Sequence, residues 1–209
     1  FAGTYYPPTD RAGHPSFRRV LAAMSDAWAN RRSDLVEQAQ HLTEKVNFAI
    51  PSGLGIPDRH TLARAYEAIR TDFDPINGGF GGAPKFPQPS TLEFLLRNHD
   101  EPWAPDAGRM LTNTLSAMAG GGIRDHIGGG FARYSVDAQW AVPHFEKMLY
   151  DNAQLVRLYA RAAQVTGDTR FAEVARGTAR YLLTDLRLPE GGFASGEDAD
   201  SDGEEGVFY

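Results

Sequence analysis

The tripeptide Gly-Gly-Phe occurs in "DPINGGFGG" (residues 74–82), in "DHIGGGFARYS" (residues 125–135) and in "GGFASGE" (residues 191–197). The copies start at Gly78, Gly129 and Gly191, at intervals of 51 and 62 residues. Apolar spacing predicts two helices within each interval: Ser90 to Asn98 and Asp106 to Ala119, then Pro143 to Val165 and Asp168 to Leu186. The unit is two helices followed by a glycine loop. Glycine permits positive φ and close backbone approach there, while the aromatic ring packs the turn against a helix end. Stacked helical hairpins with their elaborate loops at one end predict an all-α fold, either an open solenoid or a closed α/α ring. The alternative is three chance glycine turns.

Upstream, Leu62, Ala65, Ile69 and Phe73 mark a helix that ends at "DPINGGFGG". Before it, "PSGLGIPD" interrupts a run carrying Leu35, Ala39, Leu42 and Val46. A first helix follows His14-Pro15 and shows Phe17, Val20, Leu21, Met24 and Trp28 at three- and four-residue spacing. The 209 residues suffice for one sizeable core. A net charge of −6, with no basic cluster beyond pairs such as Arg18-Arg19 and Arg31-Arg32, argues against a nucleic-acid partner. The absence of cysteine excludes disulfides, thiolate zinc sites and cysteine nucleophiles, and suits a reducing, cytoplasmic setting. No apolar run is long enough to cross a membrane as a helix, so no membrane partner is expected. Both ends, "FAGTYYPP" and "EEGVFY", read as strands, and the expectation is a piece of a longer protein.

"WAVPHFEKMLYDNAQL" (residues 140–155) concentrates groups able to handle protons at the start of a predicted helix. On a helical wheel His144, Asp151 and Asn152 fall on the apolar face, and Glu146 and Tyr150 on the other. In a first turn, the positive end of the helix dipole would favour neutral imidazole at His144, the form a general base needs. The loop before it adds Arg124, Asp125, His126, Arg133, Tyr134, Asp137 and Trp140, and loops of this kind commonly form sites. Tyr134 or Trp140 could stack on a sugar ring or simply pack a loop. The glycines match neither the dinucleotide fingerprint nor the P-loop, so no cofactor is expected. "DADSDG" places Asp198, Asp200, Asp202 and Gly203 as in an EF-hand, but Tyr209 stands where the bidentate glutamate belongs. That leaves a looser calcium site or a solvated acidic turn, with Glu197 and Asp198 available as acids. No metal is expected at "HFEKM", which lacks a second histidine.

"GGFGGAPKFPQP", "DHIGGGFARYSVDAQWAVPHFEKMLYDNAQL" and "GGFASGEDADSDGEEGVFY" closely resemble blocks of the YyaL-like, spermatogenesis-associated protein 20-like family, and the resemblance covers essentially the whole chain. It implies a thioredoxin-like domain followed by an (α/α)6 toroid of the six-hairpin glycosidase type, similar to those of N-acylglucosamine 2-epimerase and cellobiose epimerase. Residues 1–13 then form the end of the thioredoxin-like part, residues 14–56 connecting helices, and residues 57–209 the first half of the toroid. Fold does not decide function, which has to come from the site.

Three readings follow. An epimerase needs a base and an acid on opposite faces of the sugar: His144 and His126, with Arg133 holding an oxyanion. This version fails if the two histidines face different surfaces. A glycoside hydrolase needs two carboxylates about 5–5.5 Å or about 6.5–9.5 Å apart, one of them from Glu146, Glu197 or Asp198. In either case Arg133, Tyr134, Trp140, Asp151, Asn152 and Glu197 are the candidate substrate contacts. The second reading is a non-catalytic module that binds a ligand or partner beside a thioredoxin-like domain, and the third is that these residues only brace helices. Half a ring also leaves apolar faces to be covered by the remaining segment or by a second copy.

Overall fold

The computed structural model describes residues 6–10, 15–49, 56, 58–201 and 204–205. The strand reading of "FAGTYYPP" falls mostly on residues outside these, as do His14 and most of "PSGLGIPD". The chain divides into two units, Phe1–Ile56 and Pro57–Tyr209.

The first unit is a helical pair, α1 (Phe17–Asn30) and α2 (Arg32–Ala49), joined by Arg31. Ser16 caps α1 by accepting from the Arg19 N–H, and donates its own N–H to Asp10 Oδ1 at 2.7 Å. The apolar stripe Phe17, Leu21, Met24 and Trp28 is present as spaced, yet all four side chains remain substantially exposed.

The second unit holds α3 (Arg59–Asp72), α4 (Pro89–Arg97), α5 (Ala107–Gly120), α6 (Leu149–Thr166) and α7 (Thr169–Tyr181), the last closing in one π-helical turn, Leu182–Leu186. Helices α4 and α5 form one hairpin and α6 and α7 the next. The two stand side by side, α4 against α6 and α5 against α7. Leu92, Leu95, Met110, Leu115, Leu155, Leu158 and Phe171 fill the space between them. Tyr159 sits at the centre, stacked on Phe131 at 5.4 Å, with its hydroxyl donating to Leu115 O at 2.8 Å. These hairpins are part of an (α/α)6 toroid.

The three Gly-Gly-Phe loops share one rim. Each is closed by a backbone bridge, Phe73 with Phe80, Arg124 with Phe131 and Arg187 with Phe193. A bridge between Lys85 and Ser135 ties the first loop to the second, and the pairing of β3 (Lys147–Met148) with β4 (Gly196–Glu197) ties the second to the third. Two further two-residue ladders pair β1 (Tyr134–Ser135) with β2 (Pro143–His144), and β5 (Asp200–Ser201) with β6 (Glu204–Glu205).

The first two loops are built alike. Asp74 accepts from the N–H groups of Ile76 and Asn77, and Asp125 from those of Ile127 and Gly128. A buried lysine then clamps each loop. Lys85 Nζ donates to Asp74 (2.7 Å) and to Gly78 O (2.9 Å), and Lys147 Nζ to Asp125 (2.8 Å) and to Gly129 O (3.1 Å). An aromatic ring covers each second glycine. A Cβ on Gly79 would lie 2.5 Å from Trp140, and one on Gly130 2.6 Å from Tyr181. Both glycines have φ near +80°, so only glycine fits on two counts. The third loop has Leu188 in the aspartate position and no lysine clamp among the described residues.

The helix expected from Pro143 starts instead at Leu149. Asp137 takes the N–H groups of Gln139, Ala141 and Val142, turning the chain so that Pro143–His144 pair with Tyr134–Ser135. Long-range pairing overrides helix propensity here. His144 therefore lies in an extended segment, and the dipole argument for it falls away.

Candidate functional site at the loop rim

Two of the expected ligand contacts are structural. Trp140 is fully buried with φ +65°, and its indole Nε1 donates to Asn77 O at 3.0 Å, so its ring offers no face to a ligand. Asn152 is equally buried. Its Oδ1 accepts from Phe131 N (2.7 Å) and its Nδ2 donates to Phe131 O and Met148 O (3.0 Å each), fastening the second Gly-Gly-Phe loop to α6. Both belong to the scaffold, because a buried polar group must be satisfied and these are satisfied internally.

Arg133, Tyr134, His144, Glu146 and Asp151 gather on one side of residues 143–147. Tyr134 and His144, opposite each other in the β1–β2 register, stack with ring centroids 4.6 Å apart. Phe86 extends the column, 4.9 Å from Tyr134, and is itself exposed. Next along the chain, Glu146 Oε2 accepts from Arg133 Nη1 at 2.8 Å and lies 3.7 Å from His144 Nε2. Arg133 N also donates to Glu146 O at 2.7 Å. Asp151, in the first turn of α6, is only 8% exposed. Burial pushes its pKa up to about 6; the Arg133 charge opposes the rise and the Glu146 charge adds to it. The cluster thus offers an aromatic face, an imidazole, an arginine-held carboxylate and a buried carboxyl with a raised pKa. Phe86 carries no sequence signal linking it to this group, because only the rim bridge from Lys85 to Ser135 brings it near Tyr134.

His126 is elsewhere. It is exposed, its Nε2 lies 3.0 Å from Gly121 O, and it lines a cavity of about 310 Å³ with Ile123, Ile127, Pro143 and Phe145. Pro143, Phe145 and Lys147 alternate with His144 and Glu146 along the extended segment, so His126 and His144 belong to opposite faces of it. The two-histidine epimerase pair is not assembled. Glu197 pairs with Lys147 in the β3–β4 register and accepts from the Tyr181 hydroxyl at 2.8 Å. Asp198 is exposed and accepts from Asp200 N in a local turn. Asp202, Gly203 and Tyr209 of the calcium-loop reading lie outside the described residues, among which no three metal-capable side chains converge.

A family model described as Thioredox_DsbH, protein of unknown function DUF255, matches residues 1–47. Spermatogenesis-associated protein 20 of Rattus norvegicus is 42% identical over 98% of this chain, and that of Homo sapiens 41% identical over 99%. The chain belongs to the YyaL-like, spermatogenesis-associated protein 20-like family. It spans 27% and 28% of those two relatives. An uncharacterized protein of Caenorhabditis elegans is 35% identical over 95% of the chain. Among solved structures, a sugar epimerase from a ruminal bacterium superposes on 65% of the chain and 39% of its own length, with a TM-score of 0.56 and 14% identity. Cellobiose 2-epimerase from Spirochaeta thermophila covers 71% and 42%, with a TM-score of 0.54 and 21% identity. At these identities the likeness establishes the toroid fold of this family member, not its chemistry.

Proposed function

We propose that the loop rim of this family member is a carbohydrate site. The observation that carries the reading is the Phe86–Tyr134–His144 column abutting the Arg133–Glu146 pair. A flat aromatic surface beside paired donors and acceptors suits a pyranose, with one apolar face and a ring of hydroxyls. Neighbours that act on sugars with the same fold support it. Of the two chemistries, glycoside hydrolysis fits better than epimerisation, since Glu146 supplies one carboxylate and His126 is turned away. A binding site without turnover is the second reading, favoured by the Arg133–Glu146 ion pair, which already engages the carboxylate.

The wider organisation is part of the same proposal. A thioredoxin-like part ends in residues 1–13, connecting helices fill residues 14–56 and the toroid starts at residue 57. The match of residues 1–47 to a thioredoxin-type family model supports a thioredoxin-like part at the start of the chain, not its end at residue 13. A cytoplasmic location suits the cysteine-free sequence.

The test is a thermal-shift screen of the full-length protein against mono- and disaccharides, repeated with His144→Ala and Glu146→Gln. A sugar that raises the wild-type melting temperature and neither variant's is the expected result. A shift that survives both substitutions sinks the placement of the site, and no shift with any sugar sinks the reading.

A further inference from the structure

We propose that Asp151 is the proton donor of this site and that the substrates are O-glycosides. The inference rests on the carbohydrate reading above and deepens it.

Asp151 stands apart from every other buried polar side chain in the described residues. Ser16, Lys85, Thr114, Ser135, Lys147, Asn152 and Thr178 each make at least one hydrogen bond, whereas Asp151 has neither a hydrogen bond nor an ion pair. An unpaired buried carboxyl is costly, so its presence calls for an explanation. Its oxygens are not sealed off, because the sole fully enclosed side-chain polar atom without a partner among these residues is Trp103 Nε1. The carboxyl oxygens therefore keep some exposure, through which they can meet solvent or a ligand. The adjacent Asn152, bonded to Phe131 and Met148, fixes the helix turn that carries it.

Its setting is complementary to that of Glu146. Glu146 accepts a short hydrogen bond from the Arg133 guanidinium, at 2.8 Å. Asp151 has no such cation bonded to it, and its first-turn position favours ionisation only weakly. Burial prevails, and Glu146 nearby adds repulsion, so Asp151 keeps its proton up to about pH 6. A carboxyl that holds its proton beside a second carboxyl group is what acid–base cleavage of a glycosidic bond needs. In the step assigned here, Asp151 gives its proton to the glycosidic oxygen as the C1–O bond breaks. Water adds to C1 and passes a proton to Glu146, and exchange with solvent returns both carboxyls to their starting forms. One glycoside and one water give two hydroxylated products, with no change of oxidation state.

The experiment follows hydrolysis of aryl α- and β-glycosides by the full-length protein, with leaving groups from 2,4-dinitrophenyl to 4-methylphenyl. A good leaving group needs no proton and a poor one does. Asp151→Asn should therefore slow the 4-methylphenyl substrate by about 10²–10⁴-fold, slow the 2,4-dinitrophenyl substrate far less, and remove the alkaline limb of the wild-type profile near pH 6. Circular dichroism and melting of the same variant, which is isosteric with the protonated acid, report folding separately. Wild-type turnover with an unchanged leaving-group dependence in Asp151→Asn overturns the assignment alone. No turnover of any aryl glycoside by the wild-type protein overturns the assignment together with the hydrolytic reading, while a sugar-dependent thermal shift would still stand for binding.

Discussion

Asp151 also makes a prediction about stability, independent of any substrate. Its pKa is raised from 3.8 to about 6. A group whose folded pKa lies above its unfolded value contributes fully below the unfolded pKa, and that contribution falls as pH rises through the folded one. Between about pH 4 and pH 6 the folded chain holds a proton that the unfolded chain has released. Two units correspond to at most about 3 kcal/mol. Asp151→Asn should thus raise the melting temperature at pH 7.5 by a few degrees, at about 2–4 °C per kcal/mol for a chain of this size, and leave it unchanged near pH 4. Equal gains at both values would show that the side chain is not titrating in this range. The glycines of the rim give a second test. Gly130 and Gly192 share φ near +80°, but a Cβ on Gly130 strikes Tyr181 whereas one on Gly192 meets nothing within 4 Å. In the 209-residue chain Gly130→Ala should cost about 1–3 kcal/mol more than Gly192→Ala in urea unfolding, the price of overpacking alone.

At the scale of elements, the clamped loop is the unit that places the site. On its own burial would raise the Asp74 pKa; the Lys85 ammonium and the N–H groups of Asn77 and Ile76 outweigh it and hold the carboxyl below the usual range. Stability from this clamp is present above the unfolded carboxylate pKa and is lost as pH falls below about 4. Lys85→Met leaves the part-buried Asp74 with its N–H donors but without its cation, and should cost about 1–3 kcal/mol, whereas Asp74→Asn with Lys85→Met should cost less than Lys85→Met alone. Chemical denaturation of the three variants measures this, and a double variant no better than the single one would remove the ion pair from the account. The Gly-Gly-Phe period and the apolar spacing made the hairpins legible in the sequence, with α4, α5 and α7 starting within a residue or so of their predicted bounds. What escaped was whatever depends on pairing between distant segments. Lys85 and Lys147 stand 11 and 22 residues from their aspartates, so no fixed spacing announces the clamp. The segment from Pro143 to Met148 has helical composition but is drawn into two ladders, which moved His144 off the helix and onto Tyr134. Asp151 and Asn152 were placed correctly on the buried face by the wheel, yet only coordinates separate the satisfied amide from the unsatisfied acid.

For the whole molecule, the exposed apolar surface sets the expectation. In the first unit Phe17, Leu21, Met24, Trp28, Val36, Leu42 and Val46 are between 37% and 59% exposed, although α1 has the periodicity of a helix meant to be covered. Full burial of such a side chain is worth about 1.5–3 kcal/mol, so covering the exposed half of the α1 stripe gains roughly 3–6 kcal/mol. Association costs about 4–15 kcal/mol in lost freedom, which makes a tight dimer through this stripe alone unattainable and weak, concentration-dependent association the expected behaviour. Light scattering of the 209-residue chain should show an apparent mass that rises with concentration, and Leu21→Glu should flatten that rise without lowering the melting temperature. In the full-length protein, where further chain can cover the stripe, the mass should not depend on concentration, and the Leu21→Glu substitution should instead destabilise. A 209-residue chain that stays monomeric at every concentration would mean that these side chains need no cover, and that the amphipathic face of α1 answers to something other than packing.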